Sequence, residues 1–442
     1  MIFLYFWLLT SSLATEISVF PYPTEHRVLP NGLTVIVVPM DTPNVAQVRT
    51  WMSVGSRDEL DPGRTGFAHF FEHLMFYGTP TVSRETREQR IQAFGAEENA
   101  WTWFDDTVYH ATLSAEHVEA YIKMEGDRFQ NLYLTEEMVR TEAGAVYGEF
   151  RKGQSSPVNR LYETLYSTAF TTHTYHHDTI GTEEDIADMP SAYLYSKEFF
   201  SRFYRPDYAT VIVVGDVSPK NVFMWTEAAY GSWEPKRIER PQVPTEPKQS
   251  QMRTQRIEWP SPTAPQLAMA WKAPGYHPTD RQYVALNLLA SLLNSDVGPL
   301  NERLVRQEKL AYSVYAEVDA FVDSGLFKIV MELKSPDSFE LAETIVREEL
   351  AKLTTGIDVD WFENTREHDR YQTLTSLDNP DSVASQLGWA WRRTGSIDAI
   401  DTFYKVYQTL EPKDISMVIQ TYIQDTSLTR VQLAPAAAME TP

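Results

Sequence analysis

Two histidines and a glutamate occur within five consecutive residues, at positions 69–73 of the chain (HFFEH). On an α-helix, residues four apart lie on the same face, so His69 and His73 could bind one ion. Burying these ionisable side chains is costly unless each has a partner, and a divalent cation partners all of them. The alternative is an amphipathic helix without a metal. Apolar residues surround the pair at helical spacing, which predicts a largely buried helix: Phe67, Phe70, Phe71, Leu74 and Met75.

Zinc is the metal that this residue pattern favours. Neutral imidazole is a common zinc ligand, and a catalytic zinc has three protein ligands and one position open to water. Glu72 borders the face that carries the histidines, where a carboxylate can take a proton from water at the metal. The order H-x-x-E-H is that of the inverted zinc peptidases. The chain has no cysteine, which excludes thiolate ligands, disulfides and thiol catalysis.

A third ligand has to come from another part of the chain. Residues 135–152 begin with a threonine, carry glutamates in their first turn and contain few helix breakers, so they are predicted to form a helix. Glu142 and Glu149 are seven residues apart and therefore share one face of that helix. From the residues alone, either glutamate is also consistent with a solvated surface charge.

With these residues, the chain resembles the pitrilysin family of zinc metallopeptidases, which includes insulin-degrading enzyme, mitochondrial processing peptidase and small bacterial members. In that family a glutamate ligand follows the inverted motif at about the distance that separates Glu149 from His73. The resemblance makes Glu142 an accessory glutamate of the catalytic site. It extends over most of residues 24–330, through the segments 54–59, 99–109 and 205–216 and through Gly66.

The resemblance implies a zinc-dependent endopeptidase with one zinc per chain, acting on extended or unfolded peptides. The zinc ligands would be His69, His73 and Glu149, and Glu72 would be the general base. The implied substrate-binding strand carries Asn99 and Ala100 at a sheet edge, where an extended peptide can add as a further strand.

A second-half segment resembles the family region in which an arginine and a tyrosine reach the substrate. The matching residues are Arg306 and Tyr312, at a spacing one residue shorter than the commoner pattern, and Arg303 is a rival for the arginine role. A guanidinium can bind a peptide carbonyl or carboxylate, and a phenol can donate to a developing oxyanion. The alternative is a surface arginine and a core tyrosine.

The implied fold class is α+β, with two related α/β-sandwich domains that form half of a clamshell chamber. A length of 442 residues also favours more than one domain. Residues 234–254 contain four prolines, many charges and no apolar periodicity, which is typical of a linker. The predicted bounds are a signal peptide at 1–17, an N-terminal metal-binding peptidase domain at 18–233, the linker at 234–254, a related C-terminal domain without a metal site at 255–434, and a frayed tail at 435–442.

Local patterns predict individual elements inside these domains. Runs rich in β-branched or apolar residues predict strands at 33–38, 45–54, 209–214 and 266–271. Helical periodicity and capping residues predict helices near 67–75, 83–94, 115–131, 135–152, 218–230 and 279–294.

Charge and hydropathy limit the partners. A formal net charge of −22 argues against nucleic-acid binding, which requires a basic face. The charge would suit basic peptides if it lay inside the chamber, and otherwise it serves solubility. No segment after the first residues is long and uncharged enough for a stable membrane span. The apolar start ends in small residues, which resembles a secretory signal, although it has no basic residue before Arg27; the alternative is a membrane anchor or a wrong start site. Export to the periplasm or the medium is expected.

Two other functions are compatible with the sequence. Some family members are non-catalytic assembly subunits of processing-peptidase-like complexes, and a complete metal set argues against that role here. A metallohydrolase for a non-peptide bond would use the same metal but would not need a peptide-binding strand. As half of a chamber, the chain is expected to form a homodimer, or a heterodimer with a metal-free homologous subunit, around a peptide or unfolded protein substrate.

Overall fold

The computed structural model describes residues 18–236 and 238–436, so the predicted signal peptide lies outside the described residues and stays a prediction. The strands are β1 Glu25–Val28, β2 Thr34–Pro39, β3 Val45–Met52, β4 Glu97–Thr102, β5 Thr107–Ser114, β6 Ala209–Gly215, β7 Arg253–Trp259, β8 Gln266–Ala273, β9 Ala311–Val318, β10 Gly325–Leu333 and β11 Leu428–Pro435. In the described ranges they form two sheets, ordered β1-β2-β6-β3-β5-β4 and β7-β11-β8-β10-β9.

The helices pack around the two sheets. They are α1 Phe67–Leu74, α2 Arg84–Ala93, α3 Val118–Asn131, α4 Glu136–Gly153, α5 Pro157–Ala169, α6 Glu183–Asp188, α7 Tyr193–Phe203, α8 Pro219–Tyr230, α9 Arg281–Asn294, α10 Phe339–Thr355, α11 Val359–Ser376, α12 Pro380–Thr394, α13 Ala399–Gln408 and α14 Pro412–Tyr422. A π-helical segment, Asn301–Gln307, precedes β9. The α+β class and each helix and strand predicted from local patterns are confirmed, with bounds that shift by a few residues.

The position of β6 inside the first sheet accounts for its continuous run of apolar residues. It is buried along its whole length between β2, which runs parallel to it, and β3, which runs antiparallel. Val211 and Val213 face the helices of the first half, whereas Ile212 and Val214 face a cluster that includes residues of α12 from the second half. Because both faces of the strand are covered, its run of residues is apolar throughout instead of alternating.

The two halves of the chain exchange helices. Helix α12, from the second half, packs on β3 and β6 of the first sheet, and Trp389 on α12 stacks on Trp101 of β4 with ring centroids 5.3 Å apart. Gly388 permits the close approach, since a Cβ at this position would lie 2.2 Å from the Trp51 ring. In return, α5 from the first half packs on β7, β8 and β11 of the second sheet. The domain bounds stay a prediction; each half has a core of its own and also covers one face of the other half's sheet.

The segment predicted as a linker is held on the body of the protein. Arg240 forms an ion pair with Asp58 at 2.9 Å. The Glu246 carboxylate accepts hydrogen bonds from the backbone amides of residues 171–173 at 2.8–3.0 Å. At the C-terminus, β11 continues to Pro435, and the Ala436 amide donates to the Trp259 carbonyl at 2.7 Å. The predicted tail is therefore ordered at 435–436, and residues 437–442 lie outside the described residues.

In the described part of the chain, none of the helices combines the length and the apolar character that crossing a bilayer requires.

Candidate metal centre

Helix α1 carries the H-x-x-E-H motif and is buried on one side, as predicted. Phe67, Phe70, Phe71 and Leu74 are fully buried; for example, the Phe71 ring stacks on Phe199 of α7 with centroids 4.9 Å apart. His69, Glu72 and His73 lie on the opposite, half-buried side. The apolar residues fix the rotation of the helix, and that rotation turns both histidines toward α4.

Helix α4 brings the third predicted ligand to the histidines. It begins as predicted, with the Thr135 side chain accepting a hydrogen bond from the Met138 amide at 3.2 Å. Glu149 Oε2 lies 3.6 Å from His69 Nε2 and 3.5 Å from His73 Nε2. One potential ligand atom from each of these three residues lies within 4.8 Å of the other two. Among the described residues, this is the one such group.

The arrangement fits a zinc ion. Nitrogen and oxygen ligands at tetrahedral zinc are about 2.0–2.2 Å from the metal, which places them roughly 3.3–3.6 Å from one another. The distances from Glu149 to both histidines are close to this range. Burial, together with the adjacent His73, lowers the pKa of His69 to about 4. The His69 ring is therefore neutral at pH 7, which is the form that binds a metal.

Glu142 orients one of the histidines. Its Oε1 accepts a hydrogen bond from His73 Nδ1 at 2.9 Å, so the opposite nitrogen, Nε2, faces Glu149. Burial acts to lower the pKa of His73, but the bond to Glu142 and the nearby carboxylates outweigh it and raise the pKa. Tyr77 also hydrogen-bonds Glu142. Carboxylates that hold metal-binding histidines in this way fix the ring orientation and its tautomer, so Glu142 has the geometry of an accessory residue.

Glu72 lies beside the ligand cluster and is not one of its members. Its carboxylate accepts a hydrogen bond from the Thr102 hydroxyl at 2.6 Å, and burial raises its pKa. Thr102 ends β4, which pairs only with β5 among the described strands and forms one edge of the first sheet. Asn99 and Ala100 are on the same edge strand, as predicted. A peptide added along β4 would pass the Glu72 carboxylate.

A cavity of about 640 Å³ continues from the end of β4. Trp103 and Phe104 line it from the first half, Tyr162 lines it from α5, and Glu317 lines it from β9. Neither this cavity nor the roles of Thr102 and Tyr77 followed from the sequence analysis. Thr102 lies in the segment 99–109 that resembles the family, but only the fold shows that its hydroxyl reaches Glu72.

The second-half residues are placed apart from the cluster. Arg306 is exposed in the π-helical segment, with Glu302 at 3.5 Å as an ion-pair partner. Tyr312 is 59 % exposed on β9, one of the two edge strands of the second sheet in the described chain. The rival Arg303 forms ion pairs with Glu348 and Glu349 of α10, which leaves Arg306 as the more available guanidinium. In the described contacts, neither Arg306 nor Tyr312 forms a hydrogen bond with the ligand cluster.

Two family profiles match the chain in succession. Residues 35–183 match the insulinase family (peptidase family M16), and residues 196–368 match the peptidase M16 inactive domain. The first match contains all three residues of the ligand cluster. The second begins in α7 of the first half and extends into the second half, and its described residues contain no such cluster.

Relatives cover nearly the whole chain. Zinc protease PqqE of Helicobacter pylori is 27% identical over 419 residues, 93% of each chain. The uncharacterized zinc protease YmxG of Bacillus subtilis is 28% identical over 370 residues, 81% of this chain and 85% of the relative. The crystal structure of a protease from Helicobacter pylori superimposes with a TM-score of 0.87 at 27% identity, covering 94% of this chain and all of the other. Relatives named zinc proteases support a peptidase function in general.

The site geometry and the profile matches indicate the same family. The geometry consists of the helix that carries H-x-x-E-H and the glutamate opposite it. They confirm the resemblance to the pitrilysin family that the motifs indicated. The chain belongs to the insulinase family of peptidases, family M16.

Proposed function

We propose that the protein is a zinc-dependent endopeptidase that hydrolyses extended or unfolded peptides. The observation that carries this proposal is the convergence of His69, His73 and Glu149, from two helices, beside the half-buried Glu72 carboxylate at a sheet edge. These three residues would hold one zinc per chain. When bound, zinc would polarise the scissile carbonyl and lower the pKa of a coordinated water to about 7.

The other residues of the site have distinct roles in this proposal. Glu72 takes the proton of the attacking water and passes it to the leaving amine. Its raised pKa brings the carboxylate closer to the range in which both transfers are efficient at neutral pH. Thr102 holds the carboxylate by its hydroxyl, and Glu142 holds the ring of His73.

The substrate class follows from the edge strand. The free edge of β4 offers main-chain donors and acceptors to any extended peptide, whatever its side chains. Asn99 and Ala100 would lie along the bound peptide and lead it toward Glu72. Most strands of a folded protein are already paired on both sides, whereas an unfolded segment has its main-chain groups free, so we expect unfolded segments to be preferred.

The metal itself tests the proposal. Purified protein is expected to contain about one zinc per chain, and 1,10-phenanthroline is expected to abolish cleavage of an unstructured peptide, with added zinc restoring it. Elemental analysis and a fluorogenic peptide assay measure the two quantities. The non-chelating isomer 1,7-phenanthroline is the control. Protein prepared with zinc that retains none, or cleavage that survives chelation, contradicts the proposal.

The main alternative is a non-catalytic assembly subunit. The profile match to an inactive domain concerns residues 196–368 only, whereas the ligand cluster lies within the other match. A complete cluster with a carboxylate beside it has no use in a purely structural subunit, and we therefore favour the enzyme.

We further propose a homodimer, or a heterodimer with a metal-free homologous subunit, in which a second subunit closes the chamber over the metal face. Arg306 and Tyr312 would bind substrate carbonyls in this chain or across the dimer. Arg306→Ala and Tyr312→Phe are expected to lower kcat/KM without changing zinc content. Light scattering coupled to size exclusion gives the subunit number, and the kinetics are measured in parallel. An active monomer contradicts the closure, and full activity in both variants contradicts the role of the pair.

A further inference from the structure

The two histidines of the ligand cluster are held in different ways. His73 donates to Glu142 through Nδ1, whereas Nδ1 of His69 is buried and has no hydrogen-bond partner among the described residues. The ring of His69 instead packs against that of His73, with centroids 4.8 Å apart. The position of His69 therefore depends on the backbone of the first turn of α1, where it is the third residue.

That first turn has no cap from its own sequence. The residue before the helix is Gly66, at φ +84°, which has no side chain to accept a hydrogen bond. A side chain could not take its place, because a Cβ on Gly66 would lie 2.4 Å from the Ile180 carbonyl oxygen. The amides at the start of a helix require partners when they are buried, so these partners come from elsewhere.

Glu59 supplies the missing partners from outside the helix. Its Oε2 accepts from the Gly66 amide at 2.8 Å, and its Oε1 accepts from the Ala68 amide at 2.7 Å. The side chain is completely buried. The carboxylate is thus bidentate on the first turn, and one of its two contacts is to the residue immediately before His69.

The two residues before Glu59 hold the segment that carries it against other parts of the protein. Arg57 forms an ion pair at 2.6 Å with Asp323, in the loop between β9 and β10 of the second half. Asp58 pairs with Arg240 of the segment that joins the halves. Each of these three consecutive residues therefore binds a different element. The backbone of Glu59 is fixed by contacts that do not involve the metal helix.

We propose that Glu59 is a positioning residue of the metal centre, which acts by fixing the first turn of α1 and thereby the His69 ligand. This inference rests on the proposed zinc site. Glu59, ten positions before His69, would support His69 as Glu142 supports His73. Because His69 has no polar anchor of its own, loss of the carboxylate would displace this ligand and leave the anchored His73 in place.

The variants Glu59→Ala and Glu59→Gln test the proposal. Alanine removes both acceptors, whereas glutamine keeps one acceptor at the same length and turns a donor toward the second amide. We expect Glu59→Ala to weaken zinc binding at least about tenfold, the lower end of the range for residues that support metal ligands, and Glu59→Gln to weaken it less. Zinc affinity is measured by competition with a chromogenic chelator, and the visible absorption of the cobalt-substituted protein reports the ligand geometry.

Asp61→Asn provides the matched control. Asp61 lies two residues away and undergoes the same change from carboxyl to carboxamide, but its contacts are to Tyr195 and Arg202 of α7 instead of the amides of α1. The control is expected to keep wild-type zinc affinity and the wild-type cobalt spectrum. Thermal unfolding of all variants, with and without zinc, separates the effect on the metal from loss of global stability.

The outcomes distinguish this inference from the proposed function. Wild-type protein that binds no zinc contradicts the metal centre itself. Wild-type protein that binds zinc and cleaves peptides, with Glu59→Gln and Glu59→Ala both folded and unchanged in affinity and cobalt spectrum, overturns the role of Glu59 alone. If Glu59→Ala fails to fold, the zinc affinity and the cobalt spectrum of Glu59→Gln test the proposal instead. Equal losses in Glu59→Gln and Asp61→Asn also overturn the role, because they would reflect the loss of a carboxyl group in this segment and not the contacts with α1.

Discussion

Glu72→Gln is expected to keep its zinc and to lose at least about 100-fold in kcat, because only the proton transfer is removed. Glu72 is not a member of the ligand cluster, and glutamine preserves the size of the side chain and can still accept the hydrogen bond from Thr102. Zinc content is measured by elemental analysis, and kcat is measured on an unstructured peptide at saturating concentration.

A suitable control for this substitution is Glu137→Gln, at an exposed position in the first turn of α4, which is expected to behave like the wild type. A Glu72→Gln protein that loses the metal would show that Glu72 is a ligand. Full turnover with bound zinc would show that another group is the base.

Glu149→Gln is expected to have the second large effect, which is a loss of zinc affinity. A neutral amide is a weaker zinc ligand than a carboxylate, so zinc affinity should fall more than about 100-fold, beyond the range expected for residues that only support ligands. Activity at limiting zinc should fall with it, and excess zinc should restore part of it. Chelator competition gives the dissociation constants.

Glu142→Gln is the comparison for Glu149→Gln, since both glutamates are on α4 and face α1. Its loss of affinity should be the smaller one, because Glu142 contacts Nδ1 of His73, the ring nitrogen that faces away from Glu149, and is not itself a member of the ligand cluster. A larger loss in Glu142→Gln than in Glu149→Gln would exchange the two roles.

The sequence determined the features that depend on nearby residues. The apolar spacing around His69 and His73 predicted α1 and its buried side, and the threonine before α4 predicted where that helix begins. The continuous apolar run of β6 predicted a buried strand. These predictions succeeded because helical and strand periodicity and capping involve residues only a few positions apart.

The resemblance, and not the residues, selected Glu149 over any other glutamate. Spacing along α4 shows that Glu142 and Glu149 share a face, but it does not show that this face meets α1. Only the fold brings Glu149 Oε2 to within 3.6 Å of both histidines and Glu142 to the far side of His73. Which of two equivalent carboxylates reaches the ligand position is decided by how the two helices pack.

The tertiary structure alone decided the supporting contacts and the relation of the two halves. Glu59 reaches the amides of α1 from a turn without periodicity, and Thr102 reaches Glu72 from a strand that is distant in the sequence. The exchange of α5 and α12 between the sheets has no local signal either, since an apolar helix face does not specify which sheet covers it. Local sequence determines what an element is, and the packing of the whole chain determines what that element touches.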